Sequence, residues 1–165
     1  MTDNELSIRP AVYADQERVW QTLEPTIRAG ESIAWDQDMS RASAFDYWFS
    51  ARNEVFVAEQ ERTIVGSYVL RANQMGGGAH VANCVYVVSP SATGRGIAQA
   101  MCEHSLTHAR ARGFSALQFN FVLSSEERRL KLWQRAGFKI VGTLPKAFRH
   151  PSLGLIDAFV MYREL

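Results

Sequence analysis

The chain has 165 residues, with 18 Lys and Arg against 17 Asp and Glu and a formal net charge of +1. Such a balance excludes a protein that works by blanketing nucleic acid or an acidic membrane with positive charge. With 47% hydrophobic and 21% charged residues the composition is that of a single globular domain, large enough to bury a core without a metal or disulfide staple.

Leu6 to Arg9 alternates as a strand, and Asp15 followed by Val19, Trp20, Leu23 and Ile27 predicts a helix that Gly30 ends. Ala44, Phe45, Trp48 and Phe49 recur at helical spacing over 40–50, with Ser40 as cap. Glu54–Glu59 and Thr63–Ala72 are β-rich runs around the polar turn Gln60-Glu61-Arg62, the pattern of an antiparallel hairpin. Gly76 to Gly78 makes the next turn, ahead of a Val-rich strand over His80–Val88. From there the order changes to strand-helix-strand, which requires a parallel crossover. Its helix carries Ala98, Met101, Cys102, Leu106 and Ala109 up to Gly113, and its second strand is Ala116–Val122. Ser124-Ser125-Glu126-Glu127 opens a last helix that ends at Ala136-Gly137, and Lys139–Leu144 and Asp157–Tyr162 are two final strands.

Cys84 and Cys102 show neither CxxC nor Cys/His zinc spacing and read as reduced, buried thiols. Met1 to Glu5 is acidic and polar where a secretory signal is basic and then apolar, and no apolar run approaches the ~20 residues of a membrane span. The expectation is a cytoplasmic protein with no membrane and no nucleic-acid partner.

The most informative stretch runs from Val85 to Ala98. Glycines between a strand end and a helix start let backbone N–H groups converge on one point, where the helix dipole adds roughly half a positive charge. Such a nest suits a phosphate. No Gly-Lys-Ser/Thr follows, so this is not a Walker A loop, and Gln99 stands where a dinucleotide motif has its third glycine. On the residues alone, a tight turn with a helix cap is the alternative.

The succession of hairpin, Val-rich strand, glycine loop, helix, strand, helix ending in Ala136-Gly137-Phe138 and two strands resembles the GNAT (GCN5-related) N-acetyltransferases over most of the chain. The resemblance implies an α/β (α+β) fold whose mixed, mostly antiparallel sheet is splayed after its fourth strand. It also implies acetyl-CoA as co-substrate, with no metal. In that family an Arg/Gln-x-x-Gly-x-Gly/Ala loop binds the pyrophosphate of coenzyme A; Gly96 and Ala98 match it, and Thr93 stands where Arg or Gln is usual. The cofactor contacts implied are Thr93, Gly94, Arg95, Gly96, Ile97, Ala98 and Ser125, with the backbone N–H groups of Val87 and Val88 toward the acetyl and pantetheine end. Leu132 to Phe138 looks like the family's Leu-Tyr-x-x-x-Gly-Phe helix end, but Trp133 replaces the Tyr that protonates the thiolate in many members. Glu126 and Arg129 stand where the family favours Asn and Ala.

Acetyl transfer to an amine needs a deprotonated amine, donors for an oxyanion and a proton for the departing thiolate. Asn83 and Asn120 are amides in apolar strands, where an unpaired buried amide costs about 1–3 kcal/mol. A solvent-facing or satisfied core amide is the plain reading. With Trp133 and Gly137-Phe138, however, they resemble family members that acetylate azetidine-2-carboxylate and other toxic proline analogues, in which strand asparagines handle the substrate. That resemblance assigns Asn83 and Asn120 to binding and orienting a small amino-acid-like amine. Among other groups, His104 and His108 share a helix face without a third metal ligand and read as an exposed face. By alternation Cys84 and Tyr86 lie on the strand face opposite Asn83, where either is a further candidate for acid or water-relay. Phe148, Arg149 and His150 are expected in the loop between the last two strands, either with Arg149 or His150 over the substrate or as a solvated loop, and Glu31 is the base candidate outside the sheet.

The leading expectation is an enzyme acetylating a small-molecule amine; the alternatives are acetylation of a protein or polyamine, and a non-catalytic acyl-CoA-binding module. Edge strands and the aromatics between Trp35 and Phe49 are consistent with a homodimer. The near-neutral total is a cancellation. Residues 1–61 hold 5 basic and 12 acidic side chains, net −7, whereas residues 91–150, with the glycine loop, hold 10 basic and 3 acidic, net +7. An anionic cofactor on the second part and a cationic or zwitterionic amine on the first fit that division.

Overall fold

The computed structural model of the protein describes residues 5–165. In chain order these form β1 (Ser7–Pro10), α1 (Gln16–Ala29), α2 (Arg41–Trp48), β2 (Glu54–Gln60), β3 (Thr63–Ala72), β4 (Val81–Val88), α3 (Ile97–Ala111), β5 (Ala116–Leu123), α4 (Glu127–Arg135), β6 (Lys139–His150) and β7 (Gly154–Glu164). The strands make one seven-stranded sheet in the order β1-β2-β3-β4-β5-β7-β6. Every neighbouring pair is antiparallel except β4 and β5. The mixed α/β fold expected from the sequence is the one observed.

Helical periodicity places Val19, Trp20, Leu23 and Ile27 on the buried stripe of α1, and Gly30, with φ 64°, ends it in the left-handed region. Ser40 caps α2 by accepting the Ser43 N–H at 3.1 Å. These two helices cover one face of the sheet, over a core of Val57, Val69, Val87, Trp48 and Ala44. On the other face α3 and α4 pack Met101, Leu106 and Trp133 against Tyr68, Tyr86, Phe119 and Met161. Gly66 of β3 lets α3 come close, since a Cβ there would meet Met101 Cε at 3.0 Å and Ile97 Cγ2 at 3.1 Å. Alternation along β4 therefore decides the partition: Asn83, Val85 and Val87 face α1 and α2, while Cys84 and Tyr86 face α3.

Two features open the sheet where chemistry can enter. The parallel β4–β5 ladder pairs only Val81–Asn83 with Ala116–Gln118, so the strands separate beyond Asn83 and Gln118. Pairing of β5 with β7 then jumps from Phe119–Met161 to Val122–Phe159, which leaves Asn120 and Phe121 opposite one residue as a β-bulge. Bulges bend a strand and re-aim its side chains. Here the bulge lies just past the vertex of the opening.

Two expectations, on the last two strands with the loop between them and on the histidine face, are corrected. The last two strands are longer than the Lys139–Leu144 and Asp157–Tyr162 runs because the apolar pattern is interrupted, not ended, by a shift in register between Leu144 and Phe148, where Lys146 has φ 51°. Phe148, Arg149 and His150 are consequently strand residues paired with Ile156, Leu155 and Gly154, and His150 Nδ1 accepts the N–H groups of Ser152 and Leu153 at 3.2 Å each to hold the hairpin turn. His104 and His108 do not form an exposed helix face. His104 Nδ1 lies 2.7 Å from the Tyr68 hydroxyl, His108 Nε2 is 2.5 Å from Glu54 Oε2, and both rings pack on Phe56. The aromatics between Trp35 and Phe49 pack within the chain, as in Trp35–Tyr47 at 4.8 Å and Phe45–Phe49 at 5.3 Å.

The entry to α1 carries an ion-pair network. Asp15, 1% exposed, takes Arg9 Nη1 at 2.7 Å and Nη2 at 3.0 Å, and accepts the Val12 N–H at 2.8 Å. The Arg9 hydrogen bonds outweigh burial and hold the Asp15 carboxyl below the usual carboxylate range. A group depressed in the folded state stabilises the fold above its unfolded pKa of about 3.9, and that stability is lost as pH falls through the folded value. Asp15→Asn is expected to cost roughly 1–3 kcal/mol at neutral pH. Its urea midpoint should also fall less than the wild-type midpoint on acidification below about pH 4. Parallel pH dependences for the two proteins would contradict this.

Candidate active site

Where β4 and β5 part, a cavity of about 230 Å³ runs through the sheet. On the α1–α2 side it is lined by the 32–35 loop, Tyr47 of α2, Arg71 of β3, Asn83 and the Asn120–Phe121 bulge; on the other side it meets Tyr86, Glu126, Arg129 and Trp133. The loop over Ser32–Trp35 thus borders one mouth of the opening, and the start of α4 borders the other.

The α1–α2 side has a polar floor. Cross-strand register sets Arg71 opposite Asn83 and Asn83 opposite Gln118, so their side chains share a face, and Asn120 follows two residues beyond Gln118. Asn83, 4% exposed, donates Nδ2–H to the Gln118 carbonyl at 3.0 Å, a hydrogen bond that continues the ladder at the vertex. Gln118 Nε2 donates to Asn120 Oδ1 at 2.8 Å, and Asn120 Nδ2 donates to Asn73 Oδ1 at 2.7 Å. Asn83 therefore combines the satisfied core amide of the plain reading with a place on the cavity wall. Asn120 is held in a chain of amides, as a group that must present one orientation would be.

On the opposite side, Glu126 is the carboxylate of the cavity lining among the described residues. Burial raises its pKa above the usual range, and Arg129, 3.6 Å away, offsets this only in part. Trp133 fills the position where a Tyr was absent, packed on Tyr86 at 5.2 Å and Phe119 at 5.0 Å. Neither remaining proton carrier suits the opening. The Tyr86 hydroxyl is engaged with Ser105 Oγ at 2.7 Å and burial raises its pKa well above normal, while burial pushes the Cys84 thiol up to about 12. Cys84 and Cys102 are both free and buried.

The glycine loop lies at the surface beyond the splayed end of β4. Gly94 and Gly96 both have φ 79°, a conformation that favours glycine, and nothing lies within 4 Å of a Cβ built on either. Arg95 N–H bonds Ala92 O and Ala100 N–H bonds Gly96 O, which leaves the N–H groups of Gly94, Gly96, Ile97, Ala98 and Gln99 without backbone acceptors among the described residues. An open cradle of unpaired donors at the start of a 15-residue helix fits a pyrophosphate. Ile97 contributes only its backbone, its side chain being 2% exposed in the core.

The predicted residues divide accordingly. Asn83, Val87 and Asn120 line the cavity together with the 32–35 loop; Val88 packs on the α3 side, and Thr93 to Ala98 form the separate surface cradle. Ser125 does not line the cavity, and its hydroxyl is enclosed without a hydrogen-bond partner among the described residues. Glu31 is exposed and lines no part of the cavity. Arg149 and His150 border a second recess with the 30–37 loop rather than the opening itself. Arg71 and Tyr47 were missed. The signal available was Arg71 and Asn73, polar residues two apart at the end of an otherwise apolar strand, but their apposition to Asn83 depends on a register that the sequence does not display.

A sheet splayed at its parallel pair, with a helix-start cradle able to take a diphosphate outside the gap, is what an acyl-CoA-dependent acyltransferase requires. The profile of the acetyltransferase (GNAT) family matches residues 15–138. A GCN5-related N-acetyltransferase from Kribbella flavida superposes with a TM-score of 0.93 at 35% identity, covering 97% of this chain and 98% of that one. The N-acetyltransferase aca1 of Schizosaccharomyces pombe is 25% identical over 151 residues, 81% of this chain and 72% of its own. A phosphinothricin acetyltransferase from Sinorhizobium meliloti, solved in complex with acetyl-CoA, shares the fold at a TM-score of 0.84 and 21% identity over 97% of this chain and 88% of that one. The chain belongs to the GNAT acetyltransferase family and is an acetyl-CoA-dependent N-acetyltransferase.

Proposed function

We propose that the protein acetylates the amine of a small amino-acid-like molecule bound over Asn83 and Asn120. The observation that carries this reading is the polar floor at the vertex, lining an open cavity of about 230 Å³. Pockets for drug-sized ligands span about 300–1,000 Å³, so this volume favours a compact acceptor over a polypeptide segment.

Acetyl-CoA supplies the acetyl group as an activated thioester. The unpaired N–H groups of Gly94, Gly96, Ile97 and Ala98, flanked by Thr93 and Arg95, hold the pyrophosphate. Beyond Asn83 the edge of β4 that turns toward β5 has no ladder partner, which frees backbone groups near Val87 and Val88 for the pantetheine end. Asn83 and Asn120 orient the amine at the vertex. Glu126 takes the proton that the amine sheds as the C–N bond forms and returns it to the sulfur as the C–S bond breaks. A carboxyl raised toward neutrality by burial is suited to both transfers.

Purified protein incubated with acetyl-CoA and a panel of amino acids, monitored by thiol release, tests the reading. Asn120→Ala removes a neutral hydrogen-bonding group worth about 0.5–1.5 kcal/mol and is expected to raise the KM of the amine up to roughly tenfold, with that of acetyl-CoA unchanged. An Asn120→Ala enzyme with wild-type turnover and amine KM would remove Asn120 from the site.

A further inference from the structure

The cavity's charges do not cancel. Of its two guanidinium groups, Arg129 faces Glu126 at 3.6 Å, while Arg71 has no carboxylate partner among the described residues. Arg71 is nevertheless held in place. Its Nη2 donates to the Tyr47 hydroxyl at 3.0 Å, and its guanidinium carbon lies 5.0 Å from the centre of the Tyr47 ring. One edge of the planar fork is thereby fixed, and the remaining N–H groups stay available at the cavity wall, beside Asn83 in the cross-strand register.

A half-buried cation kept rigid by a neutral partner, in a cavity whose lining carboxylate among the described residues faces Arg129 instead, is a site for an anion on the ligand. We infer that Arg71, positioned by Tyr47, binds the carboxylate of the acceptor, which makes the acceptor class amino or imino acids with a free carboxylate rather than their amides, esters or decarboxylated amines. This deepens the proposed amino-acid reading and rests on it. Arg71 and Asn83 occupy neighbouring strands at the same level, so a carboxylate on Arg71 leaves the attached amine within a few bonds of the vertex. The spacing suits an α-amino acid.

The experiment compares kcat/KM for amino acids and their carboxamides, at saturating acetyl-CoA, in the wild-type protein, Arg71→Met and Arg71→Lys. The wild type is expected to prefer the free acids by tenfold or more. Arg71→Met should erase that preference, raising the KM of the acids ten- to a hundredfold with a clearly smaller loss on the carboxamides, whose oxygen takes only neutral hydrogen bonds from the fork. Arg71→Lys, which keeps the charge but loses the fork, should fall between. Equal loss on acids and carboxamides in Arg71→Met, or a preference that survives the substitution, overturns the assignment of Arg71. Thiol release with polyamines or peptides but with no member of the amino-acid panel instead overturns the underlying acceptor class.

Discussion

Trp48→Ala is expected to lower the stability of the protein by about 3–5 kcal/mol, a large share of the 5–15 kcal/mol that holds a domain folded. Trp48 is 0% exposed and sits at the end of α2, where its Nε1–H donates to Ser67 Oγ at 3.0 Å and Ser67 donates on to the Phe56 carbonyl at 2.8 Å. Removing the indole opens a cavity between α2 and β3 and also withdraws a donor from a buried hydroxyl, two costs that add. The consequence reaches the site because the preceding residue, Tyr47, carries the hydroxyl that fixes Arg71. Denaturant unfolding reads the loss directly. Ser67→Ala separates the two contributions, keeping the indole in place but leaving its N–H unpaired, and should cost only about 1–3 kcal/mol. A Trp48→Ala loss no larger than that of Ser67→Ala would mean that packing of α2 on the sheet contributes little.

How far the sequence anticipates the site follows from which interactions are local. The cradle is a local object: glycines at 94 and 96 between a strand and an amphipathic helix imply both the left-handed turns and the unpaired helix N–H groups, without any knowledge of the rest of the chain. The sheet order follows from the switch between hairpin and crossover connections. The cavity walls, by contrast, come from β3, β4, β5, α2 and α4, and the contacts that define them, such as Arg71 with Tyr47 and Asn120 with Asn73, join residues 24 and 47 positions apart. The sequence presents Asn83 and Asn120 as anomalies in apolar strands, but the bulge that displaces Asn120 arises from a mismatch between β5 and β7 that neither strand reveals alone. The same holds for His104 and His108, whose i, i+4 spacing is polar by composition yet is covered by Phe56 and Glu54 from a strand about fifty residues earlier.

Glu126→Gln is expected to change activity and stability in opposite directions. Burial raises the Glu126 pKa in the folded protein above the unfolded value of about 4.3, so the folded state binds this proton more tightly. For a carboxyl shifted that way, stability is greatest when the group is protonated and declines as pH rises from the unfolded pKa through the folded one. Gln has no such dependence, and at neutral pH the variant should unfold at a higher urea concentration than the wild type, with the gap closing as pH falls below about 4. Catalysis should move the other way. A positioned proton carrier contributes about 10²–10⁴-fold, so kcat should drop within that range while the KM of acetyl-CoA stays near its wild-type value. The wild-type kcat should also fall along an acidic limb at a pH above that of an ordinary carboxyl, as the proton acceptor becomes protonated, and the variant should lack that limb. A more stable Glu126→Gln enzyme with undiminished kcat would show that the half-buried carboxyl is only a burden on the fold, and would leave proton transfer to water alone.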